Sequence, residues 1–294
     1  MNPMPHFERD SLVRALIELR NKLAPIRIPI IIGGGMGLFL RQESAGEGRQ
    51  PRYPVVPQLR STNDLDVFLS AELIVDAAKI HQLRDSLTEL GYKAKENARY
   101  FQFAREINWN EQRREVKIDL LAPIPEDPAT VTITAIRVRP RDAKRIHARV
   151  VKEAAGIEYG KEELDLRGFD ASLPEKSGVF VPSRFNYLIL KLHAFHDRYE
   201  DVEVDFGRHH AYDIFATVVS MTEADWVIAR EHLQAEKEKS YLQSARNYQK
   251  KYFSKEMSLG VIRLKENRGY QDYGEEFDRY IPDFIGDMDV LFTP

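Results

Sequence analysis

No cysteine occurs among the 294 residues. That absence removes disulfides, thiolate metal sites and cysteine nucleophiles together. Any metal site must therefore use oxygen or imidazole ligands. No apolar run is long enough to cross a bilayer. The first ten residues, Met1 to Asp10, lack the basic-then-apolar order of a secretory signal. A cytoplasmic location with no membrane partner is the default expectation. Charge of one sign is also lacking. A net charge of −3 gives no global attraction to nucleic acid, though a local basic face is not excluded. Two phosphate-loop signatures are missing as well: no G-x-G-x-x-G follows a strand, and no G-K-[ST] occurs.

What is present is a globular composition, 43% hydrophobic and 30% charged, with length for one large domain or two ordinary ones. Within it, Asn63-Asp64-Leu65-Asp66-Val67-Phe68-Leu69 sets two carboxylates two residues apart in an apolar run. On a strand, i and i+2 share a face. Asp64 and Asp66 then project together, and side-by-side burial is costly unless a cation neutralises them. A third acid, Asp119, interrupts Val116-Lys117-Ile118-Asp119-Leu120-Leu121. Clustered carboxylates favour magnesium or manganese. The alternatives are a solvated strand end for the pair and a sheet-edge position for Asp119.

Upstream, Ile28–Ile32 reads as a short strand running into Gly33-Gly34-Gly35, with a helix opening near Met36. Backbone N–H groups at such a helix start can hold phosphate, and glycine permits close approach. A tight strand–helix turn is the other reading. Arg60, just before the acids, could reach a phosphate, clamp the loop bearing Asp64, or be an ordinary loop arginine.

Apolar spacing predicts a helix over residues 8–23 and one over 71–90, with strands at 64–69, 100–107 and 115–121, the last two as a hairpin. Weaker strands are expected at 130–138 and 149–152. Residues 44–57, rich in Gly, Pro and charge, read as an exposed loop. Beyond Pro182 the pattern turns helical, with Phe185, Leu188, Leu192 and Phe195 on one stripe and further helices over 211–220, 223–233, 236–253 and 275–281. The chain thus divides into an α/β part, residues 1–180, and a helical part, residues 181–294. Lys191, on a mostly apolar face, must snorkel or meet an anion. Asp213 could pair with Lys191 or Arg198, or serve as a helix N-terminal carboxylate. Arg137, Arg139, Arg141, Lys144, Arg145 and Arg149 form either a basic strip for RNA phosphates or a salt-bridged surface.

Taken together, Ile31-Ile32-Gly33-Gly34-Gly35, Arg60-Ser61-Thr62-Asn63-Asp64-Leu65-Asp66 and Ile118-Asp119 resemble the nucleotidyltransferase superfamily of DNA polymerase β. Lys191-Leu192-His193-Ala194, Arg198 and Arg208 to Ile214 make the chain most similar to the AbiEii-type group, which includes toxins of toxin–antitoxin pairs. Gly34-Gly35 stands where many members carry Gly-Ser, and His209-His210 where Lys-Asp is frequent. The resemblance implies an α+β fold: a nucleotidyltransferase-like mixed sheet with helices, followed by a C-terminal helical domain, with the active site in the cleft between them. It implies Asp64, Asp66 and Asp119 as catalytic acids holding Mg2+ (or Mn2+), with Lys191 assisting. Gly33, Gly34, Gly35, Arg60, Thr62 and Asp213 would bind nucleotide or phosphate. The activity implied is transfer of a nucleoside monophosphate from a nucleoside triphosphate to a hydroxyl of RNA, a protein or a small molecule. An antitoxin protein would be the partner of a toxin role. The alternative is an inactive relative that binds nucleotide or nucleic acid.

Overall fold

The computed structural model describes residues 6–43, 50–58, 64–98, 100–109, 112–175 and 177–293. The chain divides into two compact units, Asn2–Ser44 with Ser61–Pro182, and Ala45–Arg60 with Ser183–Pro294. The class is α+β, a mixed sheet with helices and a helical C-terminal region, as the sequence predicts.

In the first unit, helix α1 (His6–Leu23) precedes strand β1 (Ile31–Ile32) and helix α2 (Gly34–Glu43). Strand β2 (Asp64–Phe68) leads into α3 (Ala71–Val75) and α4 (Ala77–Glu89). The predicted single helix over 71–90 is broken at Asp76. That residue is extended, and its carboxylate accepts the Lys79 N–H at 3.0 Å, an N-cap that restarts the helix. Then come β3 (Lys93–Ala94), β4 (Gln102–Trp109), β5 (Gln112–Ala122), β6 (Val131–Ile133), β7 (Arg137–Pro140), β8 (Ala148–Val150), β9 (Glu162–Asp165) and β10 (Gly178–Val181).

These strands form one sheet in the order β6-β7-β8-β5-β2-β1-β10-β9, with β4 also on β5 and β3 on β4. The β2–β5 pair is parallel, and β4–β5 is the expected hairpin. Leu65, Val67, Val116, Ile118 and Leu120 are buried, while the alternating Asp64, Asp66, Lys117 and Asp119 are only half-buried. One sheet face therefore closes on the core and the other carries the acids.

The second unit is helical: α5 (Arg184–Arg198), α6 (Arg208–Val219), α7 (Glu223–Glu236), α8 (Ser240–Tyr252), α9 (Leu259–Lys265), α10 (Arg268–Gln271), α11 (Glu275–Asp278) and α12 (Ile281–Phe292). The stripe Phe185, Leu188, Leu192 and Phe195 is fully buried. Residues 50–58 belong to this unit and are not simply a solvated loop. Tyr53 is buried and donates to Asp287 Oδ2 at 2.8 Å, and the Arg52 guanidinium lies 4.1 Å from the Trp226 ring centroid. The described residues of this segment form no helix or strand, as expected of a loop, but Tyr53 is buried and not exposed. Among the described residues, no helix is long and apolar enough to cross a membrane.

One buried histidine gives this unit a pH-dependent stability. His232 Nε2 lies 2.7 Å from the Tyr241 hydroxyl, which in turn donates to Glu236. Burial pushes the His232 pKa down from the usual 6.5 to about 4. Protonation therefore favours the unfolded chain. The stabilisation is complete above pH 6.5 and is lost as pH falls from there toward 4. We expect roughly 2 kcal/mol less stability at pH 5 than at pH 7 from this group. Urea denaturation at the two pH values checks this, with His232→Gln expected to flatten the difference.

Candidate active site

The strand register joins the acids. Asp66 on β2 is the Cα partner of Asp119 on β5, and Asp64 is the partner of Lys117. Registered partners and i, i+2 neighbours share a sheet face. Asp64, Asp66 and Asp119 therefore stand on one half-exposed face, within roughly 5–8 Å of one another along the backbone. On the other edge of β5, Gln102 is the partner of Asp119 and donates from Nε2 to Asp119 Oδ1 at 2.7 Å.

Each acid has a distinct neighbour. Asp64 Oδ1 is 3.9 Å from Lys117 Nζ. Asp119 is held by Gln102. The Asp66 carboxylate abuts the glycine turn, where a Cβ built on Gly34 would lie 1.8 Å from Asp66 Oδ2. Burial raises the Asp119 pKa above the usual carboxylate range. The Gln102 hydrogen bond opposes the shift, the Asp64 charge adds to it, and Arg149 and Lys117 oppose it more weakly.

The turn itself is built tightly. The Gly33 N–H donates to the Asp66 carbonyl at 2.8 Å, and the Gly33 carbonyl accepts the Gly37 N–H at 2.9 Å. Gly33 thus closes the first turn of α2, so the amides of Gly34, Gly35 and Met36 open the helix without intrahelical acceptors. A Cβ on Gly33 would lie 2.3 Å from the Phe68 ring, and Gly34 has φ +58°. Both positions require glycine. Gly34→Ala is expected to cost about 1–2 kcal/mol from the left-handed backbone alone. It should also push the Asp66 carboxylate off the turn. Thermal melting and the rate of the reaction proposed below check the two effects separately.

The donor set suits a hard divalent cation. It offers only carboxylate oxygens, on a face open enough to admit an ion, and its crowded like charge would be relieved by a dication. Among the described residues, no three carboxylate or imidazole groups converge as a ready-made ion cage. The carboxylates share a face but turn to Lys117, the glycine turn and Gln102.

Arg60 and Thr62 lie outside the described residues. Lys191 and Asp213 meet in the helical unit, with Lys191 Nζ 2.7 Å from Asp213 Oδ2 and both side chains buried. Helix α6 starts at Arg208, so Asp213 sits in its second turn. Its carboxylate answers the ammonium of Lys191 and not a helix N-terminus. Gln102 was not identifiable from sequence. Only the hairpin register carries it to Asp119, and no local motif marks it.

No protein-family model and no curated protein sequence matches the chain. Among solved structures, the crystal structure of ANT(2'')-Ia in complex with adenylyl-2''-tobramycin is similar at 14% identity and a TM-score of 0.38. The match covers 76% of this chain and 98% of that one. The solution structure of ANT(2'')-Ia is similar at 11% identity and the same TM-score, covering 81% and 98%. Likenesses this remote carry neither an activity nor an acceptor to this chain. Its chemistry has to follow from its own half-exposed acid face and the glycine turn beside it.

Proposed function

We propose that the acid face of the sheet is the catalytic platform of a metal-dependent nucleotidyltransferase. One observation carries the reading. Asp64, Asp66 and Asp119 share one face by strand register, and the helix-opening glycine turn is seated directly against Asp66. Phosphate at the α2 amides would then lie beside the carboxylates that hold its counter-ion.

In the reaction, the acceptor hydroxyl oxygen attacks the α-phosphorus of a nucleoside triphosphate. A new P–O bond forms as the bond from the α-phosphorus to the bridging oxygen breaks. The electron pair leaves with pyrophosphate, and the hydroxyl proton passes to the Asp119 carboxylate. Gln102 fixes the carboxylate through its hydrogen bond to Oδ1. Magnesium or manganese held by the three carboxylates would neutralise the triphosphate and the departing pyrophosphate.

Pyrophosphate release tests the reading. The protein is incubated with each nucleoside triphosphate and a cell extract as acceptor source, with magnesium or with a chelator. Release that needs the divalent ion and is abolished in Asp64→Asn/Asp66→Asn is expected. Nucleotide binding with no release from any nucleotide would instead identify an inactive relative.

A further inference from the structure

Beside the acid face, the β6–β7 hairpin and the turn that follows it border an open cavity of about 320 Å³. Arg137, Arg139, Lys144 and Arg145 line it together with His147, and no carboxylate does. Among the described residues, none of these four cations is ion-paired with an acid. Arg139 Nη1 donates to the carbonyls of Pro140, Arg141 and Ala143 at 3.0, 2.6 and 2.9 Å, which pins the turn. Arg137 Nη1 is 3.4 Å from His147 Nδ1, while Arg137 Nε is buried with no hydrogen-bond partner. Arg145 is held at φ +58°, a conformation costly for a non-glycine residue and typical of functional loops.

The cavity shares the face of the acids. Leu121, two residues beyond Asp119, is the partner of Arg149 on β8. Arg149 is the partner of Arg137 on β7, and Arg139 is the partner of Thr132 on β6. Same-face register therefore runs from Asp119 through Arg149 to Arg137. Two strand spacings, about 10 Å, separate β5 from β7. That is the length of about three stacked nucleotides at ~3.4 Å each. An aromatic ring flanks the cavity. Tyr100 is 41% exposed, its carbonyl accepts the His147 N–H at 3.0 Å, and its ring meets the His147 ring edge-on at 5.8 Å. Arginines with no acid partner among the described residues, beside an exposed tyrosine, match the two recognisable parts of a nucleotide, its phosphate and its base.

We infer that the Arg137–Arg145 cavity is the acceptor subsite, binding a nucleotide phosphate of the molecule whose hydroxyl is presented to Asp119. This rests on the transferase reading for the word acceptor, but the binding itself does not. A polycationic acceptor would be repelled by the same four charges.

Fluorescence anisotropy with a short labelled oligoribonucleotide and the full chain tests it. Lys144→Glu/Arg145→Glu changes two exposed side chains and should leave melting unchanged. It is expected to weaken binding by roughly tenfold to a hundredfold and to lower the salt slope by about 1.4. Arg137→Gln should weaken binding in the same direction. Displacement of the probe by free mononucleotide identifies a mononucleotide acceptor, and displacement by oligonucleotide alone identifies a polynucleotide. Wild-type affinity in the charge-reversed variant would overturn the proposal, as would equal affinity for a neutral methylphosphonate backbone. Binding that depends on the cavity, with no pyrophosphate release, would remove the transferase reading and leave the phosphate site standing.

Discussion

Asp119→Asn is expected to abolish most nucleotidyl transfer while leaving the protein as stable as before, or more so. The loss should be roughly 10²–10⁴-fold, the range for removing a positioned general base, and larger if an ion ligand is lost with it. Stability should move the other way for a physical reason. Burial and the neighbouring Asp64 both disfavour a charge at Asp119. A neutral amide escapes that cost, and its oxygen can still accept from Gln102. Steady-state pyrophosphate release and a melting curve on the same sample check the two halves. A fall in activity accompanied by a fall in melting temperature would instead mark Asp119 as structural.

The largest expected effect on stability is at Lys191. Its ammonium and the Asp213 carboxylate are 2.7 Å apart, with side chains only 10% and 3% exposed. Lys191→Met strands the carboxylate in a buried site. Breaking such a pair costs about 3–5 kcal/mol, because one charge is left uncompensated. Lys191→Met/Asp213→Leu removes both charges and should recover most of that loss. Urea denaturation gives the readout, and a double variant as unstable as Lys191→Met would contradict the pairing.

The acid face was legible because it obeys a local rule. A period of two in Asp64-Leu65-Asp66-Val67 and again in Lys117-Ile118-Asp119-Leu120 separates wet and dry faces of adjacent strands. Pairing β2 with β5 in parallel register then needed only that both dry faces find one core. The glycine turn was legible for the same local reason, and the contact with Asp66 explains why glycine is required at Gly34. Gln102 was not legible, since its role comes from a hairpin register seventeen residues away from Asp119. Within the loop expected over residues 44–57, Tyr53 is buried and not exposed, because its partner Asp287 on α12 is distant in sequence. The cations from Arg137 to Arg149 were visible as a cluster. Whether they bind an anion or pair with surface acids depends on the β6–β7 hairpin and on the turn held by Arg139, neither of which has a sequence signature. Asp76 broke a helix that apolar periodicity alone would have continued, because its side chain caps the next one.

The fate of the two ends of the triphosphate tests the central claim most directly. The protein is supplied with its preferred nucleotide labelled either at the α- or at the γ-phosphate, together with magnesium and an acceptor extract. The acid face, as a nucleotidyl transfer site, predicts that the α-label moves to the acceptor while the γ-label leaves as pyrophosphate, and that Asp66→Asn stops both. Transfer of the γ-label to the acceptor would contradict it, as would α-label transfer undiminished in Asp66→Asn.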